Sequence, residues 1–590
     1  MTPRRSSTAD PAEPGGPPSI SREDAGSGSP PGRDEVELYT RTFSTVLRSS
    51  GEVRLRTIER AHLGMRSSLH PLGEAEQIDS GALLYSLHRL PPVTTELQHV
   101  VMGQSPQQLL RTAAPGEVAW QPVAAPGRRR RWWWDSGSKT LAVALASSSD
   151  LDDLVPTLVA LQIEWNKAHR LLHPGEGEIG PRTPQEVREL LGISKGDWLR
   201  LTTLFGAQTA EFLEAVTTRK MDLRLRMVAG SQVGYARTTR EWWGPVGDVL
   251  AAEGLLDRPI YFVSSNAHCL VNVLSGVARR RTERVTAWAA ESGDPELKEL
   301  SRLRRRPERG LSEHNFLYYA VRRWFDAHPA ARKERTKEER QEGIFHIEPR
   351  SGTDVAAQVI VLDRLRAGEL DPRLGLAKAS SELLRAAPQV VLNIQYPLGL
   401  GAYHILRQVM EATERVEGVY ILGKAATLNA DVGDIIISDV VHDEHSGNTY
   451  WLDNCFGFAE VAPFVTSCSV LDHQRAVSVR STFLQNRGYL DFYYRDAYTV
   501  VEMEAGPYLG AVFEAGDPSR YPTDEQVDLT HPAMEVGLVH YASDTPYTQA
   551  RTLGAMGLRF EGMEATYAGA LTIASRILQR TGAGLTPRLV

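Results

Sequence analysis

From about residue 343 onward, short apolar runs alternate with helical segments, and this alternation constrains the fold more than any other feature of the chain. Gln389-Val390-Val391-Leu392-Asn393-Ile394 reads as a strand; it leads through a glycine-bearing turn, Pro397 to His404, into a helix running on past Val409. Gly418-Val419-Tyr420-Ile421-Leu422-Gly423 is the next strand, followed by Lys424-Ala425-Ala426-Thr427-Leu428 and then by the strand-like Val432-Gly433-Asp434-Ile435-Ile436-Ile437-Ser438-Asp439. Strands fully apolar along their length and separated by helices predict an α/β domain, a mainly parallel sheet buried on both faces.

Two acidic features fall at the ends of such strands. In Val500-Val501-Glu502-Met503-Glu504-Ala505 the two carboxylates are spaced to face one side of an extended strand, with Met503 opposite. A second run, residues 536–542, delivers Ser543 and Asp544 at its carboxyl end. In open α/β sheets that edge is where small ligands bind. A sugar with vicinal hydroxyls requires a carboxylate that accepts two hydrogen bonds, and a departing heterocyclic base requires a nearby acid.

Across roughly residues 389–580 these segments follow in order the pattern of the purine nucleoside phosphorylase and methylthioadenosine nucleosidase superfamily, which the chain resembles. The shared elements are a strand ending at a Gly-x-Gly turn, a helix, a strand with a Gly-rich exit, a Val-Gly-Asp-Ile-Ile-Ile-Ser-Asp segment, Val-Glu-Met-Glu-Ala, and a late Ser-Asp. The resemblance implies that Glu504 holds the ribose 2′ and 3′ hydroxyls, Met503 packs on the sugar, and Glu502 shapes the site. It implies that Asp544 assists departure of the base at N7, with Ser543 beside it; Gly423 and Lys424 are candidate substrate-binding residues at the strand exit, and Phe483, Tyr489, Phe492 and Tyr494 read as core aromatics that also suit stacking on the base. Departures are visible. Lys424 stands where the family has Ser or Thr, Ala426 replaces a glycine, and Ile421 stands where hexameric phosphorylases have a phosphate-binding arginine. Lys424 either restores a phosphate-binding charge or is a salt-bridged structural lysine. The family's first strand is best matched by residues 343–350, with Glu348 or Arg350 in the water- or phosphate-binding role.

The rest of the chain is read from its own residues. Residues 1–33 are rich in Pro, Gly and Ser and are expected to be a disordered tail, with 583–590 a frayed end. Residues 34–340 are expected to be mostly helical with some strands, including a strand–loop–helix unit near 259–280, and a domain of residues 343–582 follows. In that unit Ser264-Ser265-Asn266 reads as the cap of the following helix rather than as a ligand site. Arg128-Arg129-Arg130-Arg131 followed by three tryptophans reads as a solvated turn entering a strand with a buried tryptophan, although arginine beside aromatics also suits phosphates and bases. Asp150, Asp152 and Asp153 lie where a helix N-terminus welcomes negative charge. Arg302 to Arg309 reads as an exposed helix face, and His442-Asp443-Glu444-His445 as a polar turn rather than a metal site.

A net charge of −7 disfavours nucleic acid as a partner, three cysteines form no disulfide framework, and no apolar run approaches the roughly 18 residues needed to cross a bilayer. A cytoplasmic protein is expected, without a metal or organic cofactor, with inorganic phosphate as a possible co-substrate. The resemblance implies a homo-oligomer. It also implies cleavage of the N-glycosidic bond of a purine nucleoside or nucleotide; the altered residues Lys424 and Ala426 keep open a non-catalytic nucleotide-binding module on the same fold.

Overall fold

The computed structural model describes residues 32–49, 51–113, 119–173, 183–304, 312–376, 380–544 and 560–582. The expected N-terminal tail up to residue 31, the end from 583 and most of the Arg302–Arg309 run lie outside the described residues.

The N-terminal region carries more sheet than its sequence suggested. Strands β1 (Val53–Arg54), β2 (His99–Gly103), β3 (Gln121–Val123), β4 (Trp132–Asp135), β5 (Thr140–Ala144) and β6 (Arg224–Met227) form one six-stranded sheet in the order β1-β6-β2-β5-β4-β3. β2 lies parallel to β5 and β6, whereas β3, β4 and β5 form an antiparallel meander. Alternation sets the tryptophans: Trp132 and Trp134 are buried on one face of β4, with Trp133 on the other. Against this sheet lies the helix Ser149–Leu172, buried along almost its whole length.

The second sheet has eleven strands among the described residues: β7 (Ile260–Ser265), β8 (Ile344–Ile347), β9 (Ala357–Val361), β10 (Val390–Gln395), β11 (Val416–Thr427), β12 (Ile435–Asp443), β13 (Thr449–Leu452), β14 (Val470–Ser478), β15 (Tyr498–Glu502), β16 (Gln526–Leu529) and β17 (Glu535–Asp544). β7 is central, parallel to β10 on one side and β11 on the other. The strand–loop–helix unit expected within the helical region is therefore part of this sheet, and the expected boundary near 340 does not separate the two. Periodicity of two explains the placement. Ile260 and Phe262 enter one hydrophobic cluster and Tyr261 and Val263 the opposite one, so β7 requires cover on both faces. The segment matched to the family's first strand, residues 344–347, is instead the edge strand β8.

Five strands close on themselves: β12 pairs with β14, β14 with β15, β15 with β11, β11 with β17, and β17 again with β12. β11 passes straight through Lys424 and Ala426, where a loop was expected. Its register against β17 shifts between Ala425 and Ala426. Such a bulge re-aims neighbouring side chains.

The two regions share a large hydrophobic cluster. Leu151, Val155 and Leu158 of the long helix belong to the same group as Ala426, Val477 and Val501 of the closed ring. Charge fastens the same junction. Arg128 makes two hydrogen bonds to Asp153 (3.1 and 2.6 Å), Arg130 contacts Asp150 and Asp153 (both 2.7 Å), and Arg480 binds Asp152 (3.1 and 2.8 Å). Arg128 and Arg130 are thus an ion-paired clamp, with Arg130 buried, rather than part of a solvated turn, whereas Arg129 is exposed and the tryptophans enter a strand as expected.

Burial works against ionisation of Asp153, but the Arg128 and Arg130 charges outweigh it and hold the carboxyl well below its usual range. Replacing it by Asn leaves Arg128 without its counter-charge and Arg130 with Asp150 alone. Asp153→Asn is expected to destabilise the protein by about 3–5 kcal/mol in urea titrations at neutral pH. Because the carboxyl is depressed, its contribution is complete above the unfolded value of 3.8 and is lost as pH falls below it, so the gap between wild type and variant narrows below pH ~4.

Candidate functional site

At the carboxyl edge of β7, β10, β11, β15 and β17 a cavity of about 600 Å³ opens between the two regions. That volume falls in the ordinary range for small-ligand sites. Its floor includes Lys424, Ala425 and Ala426 of β11, Glu502 to Glu504 at the end of β15, and Tyr541 to Ser543 of β17. Its opposite wall is the segment from Pro126 to Arg130.

The two glutamates do not share one face of a strand. β15 stops at Glu502, and Glu504 has φ −124° and ψ −26°, outside extended geometry, as the residue preceding the helix Ala505–Gly516. Glu502 turns inward: its Oε2 accepts the backbone N–H groups of Glu504 and Ala505 (both 2.7 Å), and its Oε1 accepts the Ser478 hydroxyl. It thereby satisfies the open N-terminus of that helix. Ser478 Oγ in turn accepts the N–H of Gly506 (2.6 Å). Glu502 is therefore a positioning residue, and Glu504, half-buried, is the carboxylate offered to the cavity.

Gly399, in the turn after β10, meets Glu504, donating its N–H to Oε1 at 3.4 Å. Its φ of +50° favours glycine, and a Cβ there would lie 2.3 Å from Ser149 Oγ. Ser149 belongs to a Ser–His–Asp chain. Its Oγ lies 3.2 Å from His445 Nε2, and His445 Nδ1 lies 2.8 Å from Asp443 Oδ1. With 0 % exposure, and with its oxygen also accepting the N–H of Leu400 (2.9 Å), Ser149 cannot meet a substrate. This chain ties the long helix to the Gly399 turn. Glu444 begins the expected polar turn after β12 and is half-buried, bound by the Arg480 backbone N–H and the Tyr493 hydroxyl. No group of His, Cys, Asp or Glu able to hold a metal occurs among the described residues.

Burial raises Glu502 to about 6 despite its hydrogen bonds. Burial first, and the neighbouring Glu502 charge second, raise Glu504 to about 8, with Gly399 and Arg128 opposing. His540 faces Glu502 with Nε2 3.9 Å from Oε2, and burial lowers it to about 4, leaving a neutral ring at pH 7.

The expected site residues divide accordingly. Met503, Glu504, Lys424 and Ser543 line the cavity, and Ser543 donates to the Ala425 carbonyl (3.0 Å). Asp544 ends β17 opposite Ala426, and its side chain lies outside the described residues, as do residues 545–559. Two expectations are corrected. Gly423 admits no ligand: a Cβ there would lie 2.4 Å from the His540 ring, so the glycine makes room for that histidine. Phe483 is 1 % exposed, edge-on to Tyr85 at 5.1 Å, in a small core with Leu69 and Ala160. Glu348 and Arg350 lie on or beyond the edge strand and do not line the cavity. Asn266 does line it, yet its Oδ1 also caps the next helix, accepting from His268 and Cys269 N–H (3.0 and 2.7 Å). Missed in the sequence were the arginines of the opposite wall. Four consecutive arginines ahead of a buried strand were the available signal.

The raised Glu504 gives a stability test. Between its unfolded value of 4.5 and about 8 the folded protein holds a proton that the unfolded chain has released, so stability falls as pH rises through that window. Glu504→Gln removes this slope. Thermal midpoints of the unliganded protein should therefore separate progressively in favour of the variant from pH 5 to pH 8. Parallel curves would show that Glu504 titrates normally.

No helix among the described residues is long and apolar enough to cross a membrane. Among solved structures, the chain resembles purine nucleoside phosphorylase from Toxoplasma gondii in complex with immucillin-H (12 % identity, 42 % of this chain and 88 % of that one, TM-score 0.26). It also resembles a 5′-methylthioadenosine/S-adenosylhomocysteine nucleosidase from Colwellia psychrerythraea in complex with adenine (13 %, 31 % and 79 %, TM-score 0.23). A third likeness is to uridine phosphorylase from Schistosoma mansoni in complex with thymidine (13 %, 32 % and 71 %, TM-score 0.23). No functionally curated protein matches. A family model matches residues 55–579, which span both sheets, and the chain belongs to that family, a family of unknown function (DUF6909).

Proposed function

We propose that the protein cleaves the N-glycosidic bond of a purine nucleoside or nucleotide. The observation that carries this reading is Glu504: a carboxylate held toward a cavity at the carboxyl edge of the sheet, fixed from below by Glu502, with Met503 beside it. A carboxylate so placed accepts both hydroxyls of a ribose. It also stabilises the positive charge that develops at C1′ as the bond to the base breaks. The bonding pair leaves with the base, and protonation of the ring nitrogen makes that departure easier. Asp544, at the end of β17, is assigned this acid role from the sequence order Ser543-Asp544. The nucleophile is water in a nucleosidase or inorganic phosphate in a phosphorylase. Phosphate dependence of base release distinguishes them.

Release of free base from adenosine, methylthioadenosine, inosine and their 5′-phosphates, with and without inorganic phosphate, is the test. Turnover is expected with at least one of them. Glu504→Gln should lower it by roughly 10²–10³-fold and Asp544→Asn by about 10²–10⁴-fold, each with the variant shown to be folded. A second reading is favoured by Lys424 and Ala426, which alter the exit of β11: a nucleotide-binding module without turnover. Thermal stabilisation by a nucleoside with no base released from any compound would select it.

A further inference from the structure

Three consecutive arginines border the cavity, and they are not equivalent. Arg128 and Arg130 are committed to Asp150 and Asp153. Arg129, between them, donates one N–H to the Tyr396 carbonyl (2.6 Å) and makes no ion pair among the described residues. The carboxylates nearest it electrostatically are Asp354 and Glu504, and both line the cavity. The neighbouring pairs hold the backbone on both sides of Arg129, so its position is fixed by groups that do not consume its charge. A guanidinium with several N–H groups still open is suited to a phosphate's oxygens.

A second such group reaches the same cavity from a distant element. Arg322, on the helix Glu313–Ala327, lines it and makes neither a hydrogen bond nor an ion pair among the described residues. Arg89 and Lys424 also border it. Four basic side chains from four separate segments therefore converge on a space whose carboxylate for sugar hydroxyls is Glu504.

We propose that Arg129 and Arg322 form a phosphate subsite of this cavity, so that the ligand bound there presents a phosphoryl group on the side opposite the floor strands. The inference rests on the nucleoside-cleaving reading for the remainder of the ligand. The same chemistry has two sources: a 5′-phosphate carried by the nucleotide, or inorganic phosphate bound beside a nucleoside.

The experiment is equilibrium binding to the full chain, by calorimetry, of adenosine, guanosine and inosine, of their 5′-monophosphates, and of inorganic phosphate. These are measured for wild type, Arg129→Gln, Arg322→Gln and Glu504→Gln. A 5′-phosphate source predicts that one monophosphate binds about tenfold or more tightly than its nucleoside, and that either arginine variant brings the ratio close to one. Inorganic phosphate that binds wild type and is lost in both arginine variants, with no preference for the monophosphates, supports the subsite and assigns it to the free anion. Phosphate compounds that bind in an Arg129-dependent way while no nucleoside moiety adds affinity support the subsite and remove the nucleoside reading. The proposal is overturned if a nucleoside binds through Glu504 while neither arginine variant alters the binding of any phosphate compound. It is also overturned if wild type binds no phosphate compound better than the parent nucleoside and does not bind phosphate. Arg322→Gln keeps the test decisive should Arg129→Gln fail to fold.

Discussion

The cluster joining Arg128 and Arg130 to Asp150 and Asp153 determines what the rest of the molecule can be. It is buried, so each charge is tolerable only with the others in place. It lies where the first turn of the long helix meets the segment leading into β4, directly beside the carboxyl edge of the second sheet. Through it, and through Asp152 to Arg480, the N-terminal region becomes the second wall of the cavity. Without that wall the floor strands would present Glu504 to open solvent, where a carboxylate has neither a raised affinity for protons nor exclusion of water from its ligand.

The floor shows how two glutamates two residues apart take different work. Glu502 is consumed by backbone N–H groups and by Ser478, and it fixes the entry of the helix Ala505–Gly516. That fixing turns the chain at Met503 and aims Glu504 into the cavity. Burial, with the neighbouring Glu502 charge, then favours the proton on Glu504. The Ser149–His445–Asp443 chain has the connectivity of a hydrolytic triad, but its serine is wholly enclosed and serves to hold the Gly399 turn against Glu504.

Much of the second sheet was legible because its strands are apolar on both faces and short, as Val390 to Ile394 and Val536 to Ala542 illustrate. The Glu–Met–Glu and Ser–Asp ends were legible because they follow such strands directly. What escaped is what pairing decides. Residues 260–265 carry no mark that distinguishes a central strand from an isolated one, so β7 was assigned to the wrong half. Gly423 looked like a ligand-approach glycine, whereas the side chain approaching it is His540, 117 residues downstream in sequence. Phe483 is aromatic in either role, and only its neighbours Tyr85 and His62 show that it is core. The arginine run looked solvated because its acidic partners, some twenty residues later, had been read only as helix-start residues.

In the proposed function Glu504 receives the ribose of a purine nucleoside or nucleotide in the cavity between the two regions. The most direct measurement is a structure of the full chain with a purine C-nucleoside 5′-phosphate, whose carbon–carbon glycosidic link cannot be cleaved. The sugar is expected in the cavity with its 2′ and 3′ hydroxyls within hydrogen-bonding reach of the Glu504 carboxylate, about 3 Å or less. A sugar bound elsewhere, or bound in the cavity with its hydroxyls turned from Glu504, would contradict it.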